Sequence, residues 1–121
     1  MKDVATEFAS LAQEAATAEK WAYPLAELND LLTAASGADV ERLSAPAISD
    51  PYRLNYITAM VELAAHRGGV VPPAWTADVV PLATPVFAVP WLSLRAHLLT
   101  ASPPPFRRRN IFIDSSLGDR V

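Results

Sequence analysis

The sequence contains no cysteine, which excludes a disulfide framework, a thiol nucleophile and any metal centre with cysteine ligands. Its four glycines do not form the G-x-G-x-x-G or P-loop patterns of phosphate-binding loops. Serines are present, but none lies in a G-x-S-x-G context. These absences disfavour an enzyme, and the sequence predicts no catalytic residue and no cofactor.

Histidine is also scarce. His66 follows Glu62 by one helical turn, a spacing that can place two metal ligands on one helix face. Two ligands do not complete a site, and His97 lies on a different predicted element. The sequence therefore predicts no metal centre, and the pair is interpreted as part of a polar stripe on an otherwise buried helix.

No hydrophobic run is long enough to span a bilayer. Residues 79–94 carry no charge, but prolines interrupt them at 81, 85 and 90, whereas a membrane-spanning helix needs about 20 uninterrupted residues. The opening MKDVATEFAS has no apolar segment of the kind found in secretory signals. We therefore expect a cytoplasmic protein without a membrane span.

The composition that remains is that of a folded domain. The 121 residues are 51% hydrophobic and 19% charged, which predicts one globular domain with its own core. The predicted fold is mainly α, with about four to five helices and an extended, proline-rich wrap in the C-terminal half. Residues 1–68 form the helical core of this prediction. Residues 69–121 supply the wrap, a short helix and an arginine-rich segment.

Apolar spacing predicts three helices in the first half. The first runs from Asp3, a fair N-cap, to about Lys20, and the second from about Pro24 to a stop at Gly37. The third starts at Asp50 and Pro51 and stops at Gly68. Most of its circumference is apolar, so it is expected to be central, with a narrow polar stripe of Asn55, Ala59, Glu62 and His66.

Proline dominates the second half, with eight of the eleven prolines from Pro72 onward. Long strands are unlikely there because proline removes donors from the hydrogen-bond ladder. Pro90 is expected to begin a short helix carrying Trp91 and Leu94, which the triple proline at 103–105 ends. The following FRRRNIFID segment is expected to form one helical turn or a short extended piece, with Phe106, Ile111 and Ile113 buried.

Charge is divided between the two halves. Residues 1–66 hold ten acids and four basic residues, and residues 67–121 hold six arginines and three acids, so the halves carry −6 and +3. Consecutive arginines cannot share one face of a helix or strand, so Arg107, Arg108 and Arg109 should have different roles. One or two could pair within the chain, and another could stay exposed for a carboxylate or phosphate.

From about Gly68 to Leu117 the sequence resembles a group of small bacterial proteins that are often encoded beside a nucleotidyltransferase-like protein, as in toxin–antitoxin operons. The shared pattern is P-x-W, L-x-x-P-x-F, L-R and S-P-x-x-F-R-x-R-N-I-F. The matching positions here are Trp75, Leu82, Pro85, Phe87, Leu94, Arg95, Ser102, Pro103, Phe106, Arg107, Arg109, Asn110, Ile111 and Phe112. The resemblance implies a role as an antitoxin-like partner and carries no active-site residue.

The resulting hypothesis is a non-enzymatic interaction protein that binds a nucleotidyltransferase-like toxin through an apolar strip and the arginine segment. An apolar strip of this kind would also favour a homodimer when the partner is absent. The alternative hypothesis is a transcriptional regulator whose C-terminal arginines contact nucleic acid. The residues predicted to bind the partner are Trp75, Phe87, Trp91, Arg95, Phe106, Arg107, Arg108, Arg109 and Asn110.

Overall fold

The computed structural model describes residues 3–87 and 102–113. Within these ranges the chain is mainly helical, which confirms the predicted fold class. The helices are α1 (Val4–Thr17), α2 (Ala22–Ala34), α3 (Gly37–Glu41), α4 (Pro51–Arg67) and α5 (Pro104–Arg107). A 3₁₀ turn (Ala74–Asp78) and two short strands, β1 (Val86–Phe87) and β2 (Ile111–Phe112), complete the described elements.

Helices α1 and α2 pack together through buried side chains that include Phe8, Ala12 and Leu28. Asp3 caps α1 by accepting a 2.7 Å hydrogen bond from the Thr6 amide. Hydrogen bonding to the Thr6 side chain, and to a smaller extent to its amide, holds the pKa of this carboxyl below its ordinary value. Helix α2 begins at Ala22, close to the predicted start, and Pro24 lies in its first turn, where amides lack partners within the helix. The predicted stop at Gly37 was wrong, because α2 ends at Ala34 and Gly37 begins α3 behind the Ser36 cap.

Arg53 of α4 closes the C-terminal end of α1. Its Nη1 donates to the carbonyls of Ala15 at 2.7 Å and Ala18 at 2.6 Å. The guanidinium also lies 5.1 Å from the centroid of the Trp21 ring, a cation–π distance. Helix ends leave carbonyls without partners in the helix, so this arginine satisfies them while joining α1 to α4.

Helix α4 is the central element, with the predicted limits. The Asp50 side chain accepts from the Tyr52 amide at 3.0 Å, Pro51 occupies the first turn, and Gly68 follows the last helical residue. Its buried residues form most of the core together with α1 and α2, and they are Asn55, Tyr56, Ile57, Thr58, Ala59, Met60, Val61, Leu63 and Ala65.

The predicted polar stripe of α4 is largely covered in the structure. Asn55 and Ala59 are buried, Glu62 is half-buried, and only His66 is exposed. The reason is that the C-terminal half covers this face of the helix and brings polar groups to meet it.

An aromatic cluster joins α4 to the C-terminal segment. Trp21, Tyr52 and Tyr56 meet edge to face, and Phe106 of α5 adds a fourth ring with its centroid 5.1 Å from that of Tyr56. Burial raises the pKa of Tyr56 to about 12, with a smaller contribution from neighbouring Tyr52. Burial, and to a smaller extent the Asp50 carboxylate, also raises the pKa of Tyr52. The cluster thus favours neutral hydroxyls inside the fold.

The described parts of the C-terminal half, residues 69–87 and 102–113, contain short elements as well as extended chain. The 3₁₀ turn interrupts the proline-rich stretch, and β1 pairs in parallel with β2, Val86 opposite Ile111 and Phe87 opposite Phe112. Proline also begins α5, since Pro103 is its N-cap and Pro104 its first residue. The short helix predicted from Pro90, and any helix end before Pro103, lie outside the described residues.

The FRRRNIFID segment combines both predicted alternatives, a helical turn followed by a short strand. Phe106, Ile111 and Ile113 are buried, as predicted. Ser102, four residues before this segment, bonds to its C-terminal part, because its hydroxyl donates to the Ile113 carbonyl and accepts from the Ile113 amide, each at 2.8 Å. The segment therefore contributes to the same core as α1, α2 and α4.

Candidate interaction surface

The three consecutive arginines lie at the end of α5 and in the turn that follows. Arg107 is the last residue of the helix and Arg108 is its C-cap, and both side chains are exposed. Arg109 follows them and is only 5% exposed. The expectation that the arginines have different roles is therefore confirmed for exposure, with two on the surface and one inside.

Arg109 joins α4 to the 3₁₀ turn. Its Nε donates to Glu62 Oε1 at 2.8 Å, and its Nη1 donates to Asn55 Oδ1 at 2.8 Å and to the Val79 carbonyl at 3.0 Å. Its Nη2 donates to the Thr76 carbonyl at 2.7 Å. Glu62 supplies the opposite charge, and the three other acceptors bond to the Nη1 and Nη2 groups of the guanidinium. A buried cation requires both kinds of compensation.

Asn55 extends this network. Its Nδ2 donates to the Pro51 carbonyl in its own helix and to the Val80 carbonyl beyond the 3₁₀ turn, both at 2.9 Å. Arg109 occupies its Oδ1. The side chain therefore has both donor and acceptor satisfied inside the fold. The polar side chains of α4 thus bond both to the chain after the 3₁₀ turn and to Arg109.

Asn110 fixes the turn between α5 and β2. Its φ of 63° lies in the left-handed region, which asparagine tolerates better than most residues. Its Nδ2 donates to the Leu82 carbonyl at 2.6 Å, and its own carbonyl accepts from the Val86 amide at 2.8 Å. Asn110 is half-buried, and in this chain it is a structural residue of the strand pairing.

Two of the predicted partner-binding residues need correction. Phe106 is fully buried against the aromatic cluster, and Arg109 is buried in the network with Glu62 and Asn55. Neither side chain is on the surface, because Phe106 packs against the Tyr56 ring of α4 and Arg109 bonds to the polar side chains of that helix. Trp75 is half-buried, and its Nε1 donates to the Leu43 carbonyl at 2.8 Å.

The remaining predicted residues are Phe87, Trp91 and Arg95. The backbone of Phe87 pairs in β1, but its side chain lies outside what the structure describes. Trp91 and Arg95 lie entirely outside the described residues. Of the predicted set, Arg107 and Arg108 are thus the side chains that the structure shows to be exposed.

A groove runs beside α5, with a volume of about 250 Å³. We call it the basic groove. Its walls come from α4, from the loop after α4 and from α5, and the lining residues are Glu62, Leu63, His66, Val70, Pro72, Pro104, Pro105 and Arg108. Arg107 is not among them, so the two exposed arginines differ in position.

A second, more apolar groove of about 530 Å³ lies between α4 and the 3₁₀ turn, and its walls include Leu54, Trp75 and Val80. Val80 and Val71 are each 80% exposed. Apolar side chains are thus open to solvent on the loops that flank α4, which is typical of surfaces that bind other proteins when such residues are grouped.

Comparison with protein-family models, with curated proteins and with solved structures gives no match.

The described residues were compared with the requirements of a metal site and of a membrane-spanning helix. Among residues 3–87 and 102–113 no group of three or more histidine, cysteine, aspartate or glutamate side chains could hold a metal ion. Glu62, which was considered as a metal ligand because of its spacing to His66, pairs with Arg109 instead. In that same part of the chain, no helix combines the length and the apolar character needed to cross a bilayer.

Sequence reasoning missed the partners of Arg109. Asn55 and Glu62 are seven residues apart, and therefore share one face of a helix that is otherwise apolar. Polar groups on a helix expected to be covered on two sides need buried partners. An amide and a carboxylate on a helix face that is expected to be covered were therefore the available signal. The carboxylate in particular pointed to a cation from a distant segment.

Proposed function

We propose that this chain is a non-enzymatic protein-interaction module that neutralises a nucleotidyltransferase-type toxin as its antitoxin. The resemblance of residues 68–117 supports the kind of partner. The observation that carries the proposal is the surface around α5, where the exposed Arg107 and Arg108 lie beside a groove with apolar walls. An apolar centre with a charged rim is the usual composition of a protein–protein interface.

The interior network supports this proposal by making the surface rigid. Arg109 and Ser102 fasten the chain on both sides of α5, and Phe106 anchors the helix from below. A surface that is ordered before binding loses less conformational entropy when the partner docks. A toxin of this type would act in the cytoplasm, which is the compartment that the proposal implies.

A protein partner is favoured over nucleic acid by the distribution of charge. Non-specific affinity for nucleic acid requires a broad basic surface, whereas the chain has a net charge of −3 and Arg109 is consumed internally. Operator binding by the arginines remains the alternative, and a mobility-shift titration at low salt is the measurement that would support it.

The direct test is co-expression with the nucleotidyltransferase-like product of the adjacent gene. We expect a complex on size-exclusion chromatography and the relief of toxin-induced growth arrest. The double variant Arg107→Gln/Arg108→Gln should weaken the complex by about tenfold or more, because it removes both rim cations. Arg42→Gln, which removes an exposed arginine at the end of α3, is the matched control and should leave binding unchanged.

Two results would remove the proposal. One is the absence of any complex together with unaltered toxicity of the co-expressed protein. The other is equal affinity of the parent chain and the double variant, since the proposed surface would then play no part in binding.

A further inference from the structure

We propose that the basic groove binds an acidic, apolar segment of the partner protein, with Arg108 pairing with a carboxylate of that segment. This inference rests on the proposed function, because it names the chemistry by which the partner would be recognised. It goes further by separating Arg108, which lines the groove, from Arg107, which does not.

The charge of the groove is the first argument. Its acid, Glu62, is already neutralised by Arg109 through a 2.8 Å ion pair beneath the groove. Arg108 is exposed and makes no ion pair or side-chain hydrogen bond with another described residue. The groove therefore presents an uncompensated cation at its wall. A guanidinium binds a carboxylate through two parallel hydrogen bonds, which favours an acidic side chain as its partner.

The apolar walls are the second argument. Leu63 and Val70 provide aliphatic surface, and Pro72, Pro104 and Pro105 also line the groove. Proline has no backbone N–H group, so these walls cannot donate the ladder bonds that would add a strand to a sheet edge. The groove thus suits apolar side chains of a segment that lies across it.

The volume of the groove favours a protein segment over a small-molecule ligand. Pockets that enclose drug-sized molecules have volumes of roughly 300 to 1,000 Å³, and this groove has about 250 Å³. A space of this size accommodates the side chains of a segment whose backbone remains outside. Together with the cation at its wall, it favours a segment in which apolar and acidic side chains alternate or adjoin.

The walls are already in place in the free chain. Phe106 is fully buried directly after Pro105, and the Ser102 hydroxyl joins both ends of the segment that carries α5. On the other wall, Val70 follows Gly69, and the Val70 amide donates to the Ala65 carbonyl at 3.0 Å. A partner segment therefore docks without rearranging the backbone around the groove.

The test uses the full chain and a short acetylated peptide of alternating leucine and glutamate, titrated in two-dimensional amide nitrogen–hydrogen correlation spectra. We expect shifts confined to residues 62–72 and 104–108. The same peptide with glutamine in place of glutamate should bind about fivefold more weakly, the loss typical of one partly exposed ion pair. Salt at about 1 M should produce a similar loss.

Two variants locate the contact. Arg108→Gln should lower the affinity for the glutamate peptide to that for the glutamine peptide, whereas Arg107→Gln should leave it within about twofold of the parent. Equal losses in the two variants, shifts mapped to another face, or equal affinity for the two peptides would each overturn the inference.

This titration needs no toxin, so it fails independently of the proposed function. A toxin complex that is insensitive to Arg108→Gln but sensitive to Arg107→Gln would leave the function and remove the groove inference. Peptide binding at the groove without any toxin complex would leave the groove and remove the function.

Discussion

At residue 109, one guanidinium is held by four acceptors from α4 and the region of the 3₁₀ turn. The pair with Glu62 is largely shielded from water, with side-chain exposures of 6% for Arg109 and 15% for Glu62. In such a pair the attraction between the charges is offset by desolvation of both ions. Removal of one partner is costly because the other is left buried without compensation.

The first prediction is that Arg109→Met lowers the free energy of unfolding by about 3 to 5 kcal/mol, since the Glu62 carboxylate and three further acceptors lose their donor. Arg109→Lys should recover only part of this loss, because an ammonium cannot reproduce the planar fork. Urea denaturation measures both. Arg107→Met is the control and should stay within about 0.5 kcal/mol of the parent, as expected of an exposed side chain. A loss below about 1 kcal/mol for Arg109→Met would contradict the structural role.

The second prediction concerns Tyr56, whose pKa is raised from 10.0 to about 12 by burial. The folded state favours the neutral hydroxyl, so its stabilising contribution is complete below pH 10 and is lost as the pH rises from about 10 to 12. The rise in pKa corresponds to about 3 kcal/mol. Tyr56→Phe should reduce the alkaline loss of stability by about that amount.

Urea midpoints at about pH 9 and about pH 12 measure this difference. Tyr23→Phe is the control, because the Tyr23 side chain is 85% exposed, and it should lose as much stability as the parent. If Tyr56→Phe and the parent lose equal stability between the two pH values, Tyr56 does not control the alkaline transition.

At the scale of elements, α3 and the end of α4 are in unusually close contact. A Cβ atom at Gly37 would lie 2.7 Å from Val70 Cγ1 and 2.9 Å from the Gly68 carbonyl oxygen. The Gly68 oxygen is a backbone atom and the β-branched Val70 side chain is stiff at χ1, so the backbone would have to move. The start of α3 therefore depends on glycine for space.

The third prediction follows from this contact. Gly37→Ala should destabilise the fold by about 1 to 3 kcal/mol, the usual cost of overpacking, as measured by thermal or urea unfolding. Gly69→Asn is the control, because no atom lies within 4 Å of a Cβ there and asparagine tolerates its φ of 69°. It should cost less than about 1 kcal/mol. Equal costs at the two positions would mean that crowding at Gly37 is not the cause.

The elements also show which features the sequence could predict. The limits of α4 follow from Asp50, Pro51 and Gly68, which act on the helix ends within a few residues, and local chemistry was sufficient there. The environment of Asn55 and the position of Arg109 depend on a contact 54 residues apart. The spacing of apolar residues along a helix identifies its apolar and polar faces. It does not identify the distant segment that packs against each face.

At the candidate site too, local features were predictable from the sequence and contacts with distant segments were not. Spreading of consecutive side chains around a helical turn led to the expectation that the three arginines differ, and the structure places two outside and one inside. Which one is inside was not predictable, since it depends on how α5 lies over α4. The role of Asn110 was missed for the same reason, because its partners Leu82 and Val86 belong to another segment.

For the whole molecule, the two halves of the chain share one core, because Phe106, Ile111 and Ile113 pack with residues of α1, α2 and α4. The division into residues 1–68 and 69–121 therefore describes the sequence and does not separate two cores. Without the second half, the face of α4 around Tyr56 and Asn55 would lose its cover.

The fourth prediction is that a fragment of residues 1–68 does not unfold cooperatively, since its apolar α4 surface would be exposed. Thermal melts followed by circular dichroism compare the fragment with the full chain. Addition of residues 69–121 as a separate peptide should restore part of the transition. A sharp transition of the fragment alone would show that the first half is an independent unit.

The distance in sequence between Arg109 and Glu62 also affects the chain while it is being synthesised. The two residues are 47 positions apart, and the ribosome adds about 5 to 20 residues per second. For roughly 2 to 10 s after Glu62 is added, the nascent chain therefore contains this carboxylate without the cation that pairs with it in the folded protein.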